Sequence, residues 1–101
     1  MRILVMFDLP VETVSQRREY RKFRKYLIKQ GFLMLQESNY CKMVPNSSAG
    51  DGVISGLQSN KPPEGLVQVL KVTEKQFAKM EYLVGEAKND VINDDRRLVI
   101  L

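Results

Sequence analysis

The sequence contains no histidine and a single cysteine, Cys41, in 101 residues. The absence of histidine excludes Ser-His-Asp and Cys-His catalysis, the HExxH zinc site and any imidazole general base. One cysteine cannot form a disulfide within the chain and suits a reducing compartment. With no histidine to activate it, we interpret Cys41 as structural or incidental. If the chain performs chemistry, carboxylates and a hard metal ion are therefore the expected means.

Long apolar segments are also missing. The longest apolar runs, such as ILVMF at residues 3–7, are far too short to span a bilayer. The first residues lack the charged start, apolar stretch and small-residue cleavage site of a signal peptide. We therefore expect a cytoplasmic protein without a membrane partner. The composition, 44% hydrophobic and 28% charged, predicts one globular domain over residues 1–101.

The order of apolar and polar patterns predicts an α+β sandwich, with helices on one face of a mainly antiparallel sheet. A ferredoxin-like βαββαβ unit with an added C-terminal strand fits this order best. The predicted elements are a strand buried on both faces at 2–8, a helix at 15–30, one bent strand or two at 32–44, a loop at 45–52, a weakly helical stretch at 52–60, a strand at 66–73 and a helix at 73–85.

Residues 84–101 are predicted to form a polar connection and a short C-terminal strand, LVIL. A strand with no following element to cover it is expected to pair with a sheet edge, its own or a partner's. Homodimerisation, with this strand on a sheet edge of the partner subunit, is the simplest interpretation.

The predicted helix at 15–30 carries seven Lys and Arg residues and one acid, Glu19. One side of its helical wheel is expected to pack on the sheet, namely Gln16, Tyr20, Phe23 and Leu27. The cations on the other side form either a solvated helix face, as most charged runs do, or a surface that follows nucleic-acid phosphates. Their concentration on one helix of a chain with net charge +4 favours the second interpretation. The candidate contacts are Arg17, Arg18, Arg21, Lys22 and Lys25.

The first predicted strand ends in an acid and a proline, in the sequence RILVMFDLP at residues 2–10. Asp8 in this position either accepts backbone N–H bonds that start the next helix or binds a metal ion. One carboxylate is a poor metal site on its own. A twofold axis near Asp8 would supply a second copy, and the pair could hold a hydrated Mg²⁺, or another divalent ion, against a phosphodiester and activate a water.

Four stretches of the sequence together resemble one family. RILVMFDLP, REYRKFRKYLIKQGF, SNYCK and KVTEKQF, in this order, resemble the small CRISPR-associated adaptation protein, the dimeric partner of the CRISPR integrase. The resemblance covers nearly the whole chain and is greatest to members from systems with a single large effector nuclease. In one departure, Asn39 stands in SNY where many members have an apolar residue, so strand packing or a dimer contact there is expected to differ.

The resemblance implies a ferredoxin-like homodimer whose C-terminal strand adds to the sheet of the other subunit. It also implies a metal-dependent endoribonuclease or duplex deoxyribonuclease, with Asp8 as the metal ligand and the catalytic residue. In the acquisition complex such a dimer bridges two integrase dimers and supports duplex DNA. Contacts to the DNA backbone then fall most naturally on Arg17, Arg18, Arg21 and Lys25.

Three functions follow from these observations. We favour a scaffold that holds duplex DNA for an integrase, because the basic helix and the expected dimer both serve that role. A Mg²⁺-dependent nuclease based on paired Asp8 carboxylates is the alternative, although no other acid and no histidine is evidently placed as a base. The third is a small-molecule-binding regulatory domain on the same fold, for which the sequence offers no distinctive ligand motif.

Overall fold

The computed structural model describes residues 1–87. Within that range the chain forms a four-stranded antiparallel sheet with strand order β2-β3-β1-β4. The elements are β1 (Arg2–Asp8), α1 (Val14–Lys29), β2 (Leu33–Gln36), β3 (Asn39–Met43), α2 (Ser47–Ser59), β4 (Leu66–Val72) and α3 (Glu74–Ala78). The predicted α+β, ferredoxin-like arrangement is confirmed. The predicted strand at 98–101 and most of the polar connection before it lie outside the described residues.

β1 is the central strand of the sheet, paired antiparallel with β3 on one side and with β4 on the other. Ile3, Val5 and Phe7 are buried in the core beneath α1 and α2. The intervening residues on the opposite face are only half-buried, and Asp8 is exposed. The prediction that β1 is buried on both faces is therefore wrong for residues 1–87, because the helices cover only one face of the sheet.

α1 is capped at its N-terminus by Thr13. The Thr13 hydroxyl accepts the backbone N–H of Gln16, and the Gln16 side chain accepts the N–H of Thr13, which makes a capping box. Phe23 and Leu27 are buried against the sheet, as the helical wheel predicts. Gly31 follows the helix with φ of +91°, a conformation that glycine adopts at little cost, so the helix ends there as predicted.

α2 is longer than the sequence predicts. Residues 45–52 are predicted to form a loop, but Asn46 caps a 13-residue helix by accepting a backbone N–H from the first turn at 2.8 Å. A Cβ on Gly50 would come within 3.1 Å of side-chain carbons of Ile3 and Lys71. The helix therefore lies directly against the sheet, and packing stabilises a segment whose glycines disfavour a helix on their own.

α3 is shorter than the sequence predicts. A helix is predicted through residues 73–85, and Thr73 does cap it, yet the helix ends at Ala78. The next two backbone N–H groups bond to carbonyls three residues back, which closes the last turn. Leu83 and Val84, which lie within the predicted helix, are 92% and 93% exposed. Apolar periodicity does not extend the helix here, because these side chains are not buried against the sheet. No helix within residues 1–87 is long and apolar enough to cross a membrane.

Residues 32–44 form two strands joined by a tight turn, at which Ser38 has φ of +65°. The Ser38 carbonyl accepts the N–H of Phe7 at 3.0 Å, so the turn is tied to the end of β1. Asn39 begins β3 and is half-buried, and its side-chain amide donates to the Glu37 carbonyl at 3.1 Å. A polar residue is therefore accommodated at this position by a hydrogen bond to the turn.

Gly65, in the turn before β4, packs closely against the end of β1. Its φ is +98°, and a Cβ there would lie 2.9 Å from the backbone oxygen of Asp8 and 2.8 Å from the side chain of Leu9. A contact this short with a backbone atom requires the strand tip to move. Only glycine therefore allows the turn before β4 to approach Asp8 this closely.

We expect Gly65→Ala to lower the free energy of unfolding by about 2–4 kcal/mol, because it adds a backbone clash to the strain of a positive φ. Urea denaturation would measure the loss. The control is Gly85→Ala, since Gly85 has φ of +85° but, apart from its chain neighbours, no atom of residues 1–87 lies within 4 Å of the place that an added methyl group would take. Equal losses in the two variants would show that the close approach to Asp8 is not what restricts position 65.

Candidate nucleic-acid interface and strand-tip carboxylate

Asp8 is exposed at the end of β1, opposite Leu66 of β4. Side chains alternate between the two faces of a strand, so Asp8 shares its face with Leu4 and Met6, away from the helices. Within residues 1–87 its carboxylate forms no ion pair. The interpretation of Asp8 as the start of the next helix is wrong, because Thr13 caps α1.

Asp8 is the candidate metal ligand at the tip of β1. The described residues contain no group of three or more His, Cys, Asp or Glu side chains that could hold a metal ion. Mg²⁺ is commonly held by one or two carboxylates together with phosphate and water. Asp8 fits the role of one such ligand.

The outer side of α1 carries the cations that the sequence singles out. Arg17 is exposed but already bonded, because its Nη1 donates to the carbonyls of Val11 and Glu12 at 3.0 and 3.1 Å. These bonds hold the β1–α1 loop against the helix. The other four candidates are exposed and form no ion pair in the described part of the chain, and we call them the cation face: Arg18, Arg21, Lys22 and Lys25.

An aromatic cluster lies between Asp8 and the cation face. The Phe7 ring packs edge-on against Phe23 and Tyr20 of α1, at 5.3 and 6.0 Å between ring centroids, and stacks on Tyr40 at 5.8 Å. These contacts seat α1 on the inner face of the sheet. Asp8 points to the other face of the sheet, so one chain does not bring it and the cations into a single site.

The sheet face that carries Asp8 is largely apolar and incompletely covered. Met43 is 62% exposed and Leu70 is 51% exposed. A cavity of about 930 Å³ lies between this face and residues 80–87. Exposed apolar patches of this kind are typical of interaction surfaces. We call it the open face, and its members include Leu4, Met6, Asp8, Leu33, Cys41, Met43, Leu66 and Leu70.

Comparison with known proteins identifies the family. The sequence profile of the family described as CRISPR associated protein Cas2 matches residues 1–80. The chain belongs to the Cas2 family. It is 55% identical to the CRISPR-associated endoribonuclease Cas2 of Treponema denticola over 101 residues, which cover both chains completely. It is 48% identical to the protein of the same name from Streptococcus mutans, over 100% of this chain and 93% of that one.

A solved structure shows the same fold. The crystal structure of Streptococcus pyogenes Cas2 at pH 6.5 matches with a TM-score of 0.60. The match covers 83% of this chain and 100% of that chain, at 17% sequence identity. The ferredoxin-like arrangement of this Cas2 family chain is therefore retained where most of the side chains differ.

One cluster of contacts is not predicted from the sequence. Arg2 Nε donates to both carboxylate oxygens of Glu74 at 3.0 and 3.1 Å, and the Arg2 guanidinium lies 4.1 Å from the centre of the Phe77 ring. These contacts hold α3 against the end of β1 that is farthest from Asp8. Arg2 and Glu74 are 72 positions apart, so no local pattern in the Cas2 family sequence could have indicated the pair.

Cys41 is the buried member of the open face. Arg2 Nη1 donates to its Sγ at 3.8 Å. Burial raises the pKa of the Cys41 thiol, and the hydrogen bond from Arg2 offsets only part of this effect. The thiol is therefore protonated and weakly nucleophilic at neutral pH, in agreement with its interpretation as a structural residue.

Proposed function

We propose that this Cas2 family chain is a CRISPR adaptation protein that binds duplex DNA as a homodimer and bridges integrase dimers during spacer acquisition, in defence against foreign DNA. The observation that carries the proposal is the cation face, where four exposed cations form no ion pair within residues 1–87. Each cation that meets a phosphate releases counterions and strengthens binding without reading sequence.

The aromatic residues near α1 favour recognition of the DNA backbone over recognition of bases. Single-stranded nucleic acids are usually bound by stacking bases on exposed aromatic rings. Phe7, Phe23 and Tyr40 are buried in the core, so they do not offer such a platform. A helix lined with cations and without these rings suits a duplex, whose bases are already stacked.

The open face supports the homodimer part of the proposal. A second copy that covers this face would bury apolar side chains such as Leu70 and Met43, which favours association. It would also bring the two Asp8 carboxylates to the same interface, since Asp8 lies on that face. The outer edge of β4 has no partner strand within the described range, so it could accept a strand from the other copy.

A second candidate function is a Mg²⁺-dependent endonuclease that acts on RNA or duplex DNA. Two observations favour it, namely the name endoribonuclease carried by the relatives and the exposed carboxylate of Asp8. A bound Mg²⁺ would polarise a phosphodiester as a Lewis acid. Asp8 would position that ion. We place this function second because no cluster of acids accompanies Asp8 within residues 1–87.

The dimer is tested by Leu70→Glu, which places a charge on the open face. Burying an unpaired carboxylate is unfavourable, so we expect sedimentation velocity to show monomers where the wild type shows dimers. Ile28→Glu on α1, at a site 50% exposed, is the control and should remain dimeric. A dimer that persists in the Leu70→Glu variant would place the interface elsewhere.

The cation face is tested by reversing two of its charges. We expect Arg18→Glu with Arg21→Glu to weaken binding to a labelled duplex at least about 100-fold at low salt, because cationic contacts become repulsive. The matched control is Lys75→Glu with Lys79→Glu, which makes the same change in net charge on the exposed side of α3 and just after it. Fluorescence anisotropy measures the affinity for the duplex. An equal loss of affinity in both double variants would contradict the proposal of a defined binding face.

The role of Asp8 is tested by spacer integration in vitro with the partner integrase. If the protein is a scaffold, Asp8→Asn should integrate within about twofold of the wild type, a rate change that corresponds to less than one kcal/mol, while the double arginine reversal fails. If Asp8→Asn loses integration although the dimer and DNA binding persist, the carboxylate has a chemical role. The nuclease function would then become the better proposal.

A further inference from the structure

A small groove lies between α1 and the C-terminal end of α2, beside the cation face. Its volume is about 120 Å³, and Lys22 and Tyr26 of α1 line one side. Lys61 and Pro62, in the turn before β4, line the other. Lys22 belongs both to the cation face and to this groove, so the two surfaces are continuous.

Three donor groups line this groove. They belong to Lys22, Lys61 and Tyr26, whose side chains carry two ammonium groups and one hydroxyl. Neither lysine forms an ion pair within residues 1–87. A phosphate carries negative charge and several acceptor oxygens, so one such group could accept hydrogen bonds from all three donors.

The end of α2 next to the groove is partly satisfied by local hydrogen bonds, since the Asn60 backbone N–H also donates to the Leu57 carbonyl. The last carbonyls of a helix carry partial negative charge, which would oppose an anion. The Ser59 hydroxyl donates to the Ser55 carbonyl at 3.3 Å, and the Asn60 amide donates to the Gly56 carbonyl at 2.8 Å. These bonds weaken the electrostatic repulsion between the carbonyl oxygens at the helix end and a phosphate.

Gly56 allows the Tyr26 hydroxyl to approach α2. A Cβ at position 56 would lie 2.8 Å from the hydroxyl oxygen, so any larger residue would displace it.

Glu19 is the one acid in the lining of the groove. Two lysines against one carboxylate leave the groove with a net positive charge.

We propose that this groove holds a backbone phosphate of the duplex that binds on the cation face, with Lys61 as a further nucleic-acid contact. The inference rests on the proposed DNA-binding function. It extends the contact surface from a single helix to the turn before β4. A duplex bound there is held from two elements of the fold, which fixes its orientation more firmly than one row of flexible side chains can.

The experiment compares the binding of a fluorescein-labelled DNA duplex by three single variants at salt concentrations between about 50 and 200 mM. Lys61→Gln removes the charge but keeps most of the side-chain length. Lys75→Gln is the control. Lys75 lies on α3, which Arg2 holds at the end of β1 that is farthest from Asp8. Glu19→Gln removes the opposing charge, and circular dichroism verifies that each variant is folded.

We expect Lys61→Gln to weaken binding about fivefold and to reduce the salt slope by about 1 for each groove that the duplex occupies. Glu19→Gln should strengthen binding, and Lys75→Gln should change it little. If Lys61→Gln behaves like Lys75→Gln while the wild type binds with a steep salt dependence, the groove is not a contact and only this inference fails. If the wild type shows no salt-dependent binding, the proposed function fails and the inference falls with it.

Discussion

The burial of one face of β1 beneath the two long helices is the constraint on which the rest of the molecule depends. Ile3 and Val5 are completely buried, and Phe7 connects the strand to α1 through its aromatic contacts. Because strand side chains alternate, burial of this face places Asp8 on the other one. Because the inner side of α1 must be apolar, its cations lie on the outside. Both candidate features therefore take their positions from the same core.

Asp8 and the cation face therefore lie on different sides of the molecule, and the two candidate functions use them differently. A duplex on the outer side of α1 meets the cation face without disturbing the sheet. A nucleic acid cut near Asp8 would have to reach the edge of the open face, which is also the proposed contact with a second copy of the chain. The scaffold therefore uses surfaces that do not compete, whereas the nuclease needs the substrate and the partner subunit to share one region.

The elements set by local chemistry were predictable from the sequence. Thr13 and Thr73 cap their helices, Gly31 ends α1, and the Pro-rich turn before Gly65 separates α2 from β4. The errors occur where packing between distant residues decides the outcome. Gly50 fits α2 against the sheet although its segment looks like a loop, and α3 stops at Ala78 with Leu83 left exposed. Among the site residues, the sequence placed Asp8 at a strand tip and the cations on one helix face. It could not reveal that Arg17 is bonded to its own loop, because that contact depends on the path of the loop.

The central position of the first strand also has a consequence for the order of folding. Arg2 pairs with Met43 on one side and with Val72 on the other, so β1 is completed only by segments that are synthesised much later. The β2–β3 hairpin and α1 can form from local contacts, but β4 must close a long loop before it adds to the sheet. A nascent chain that has not reached Leu66 therefore exposes one edge of its own core strand. Until β4 covers this edge, the growing chain offers unpaired backbone groups through which it can aggregate.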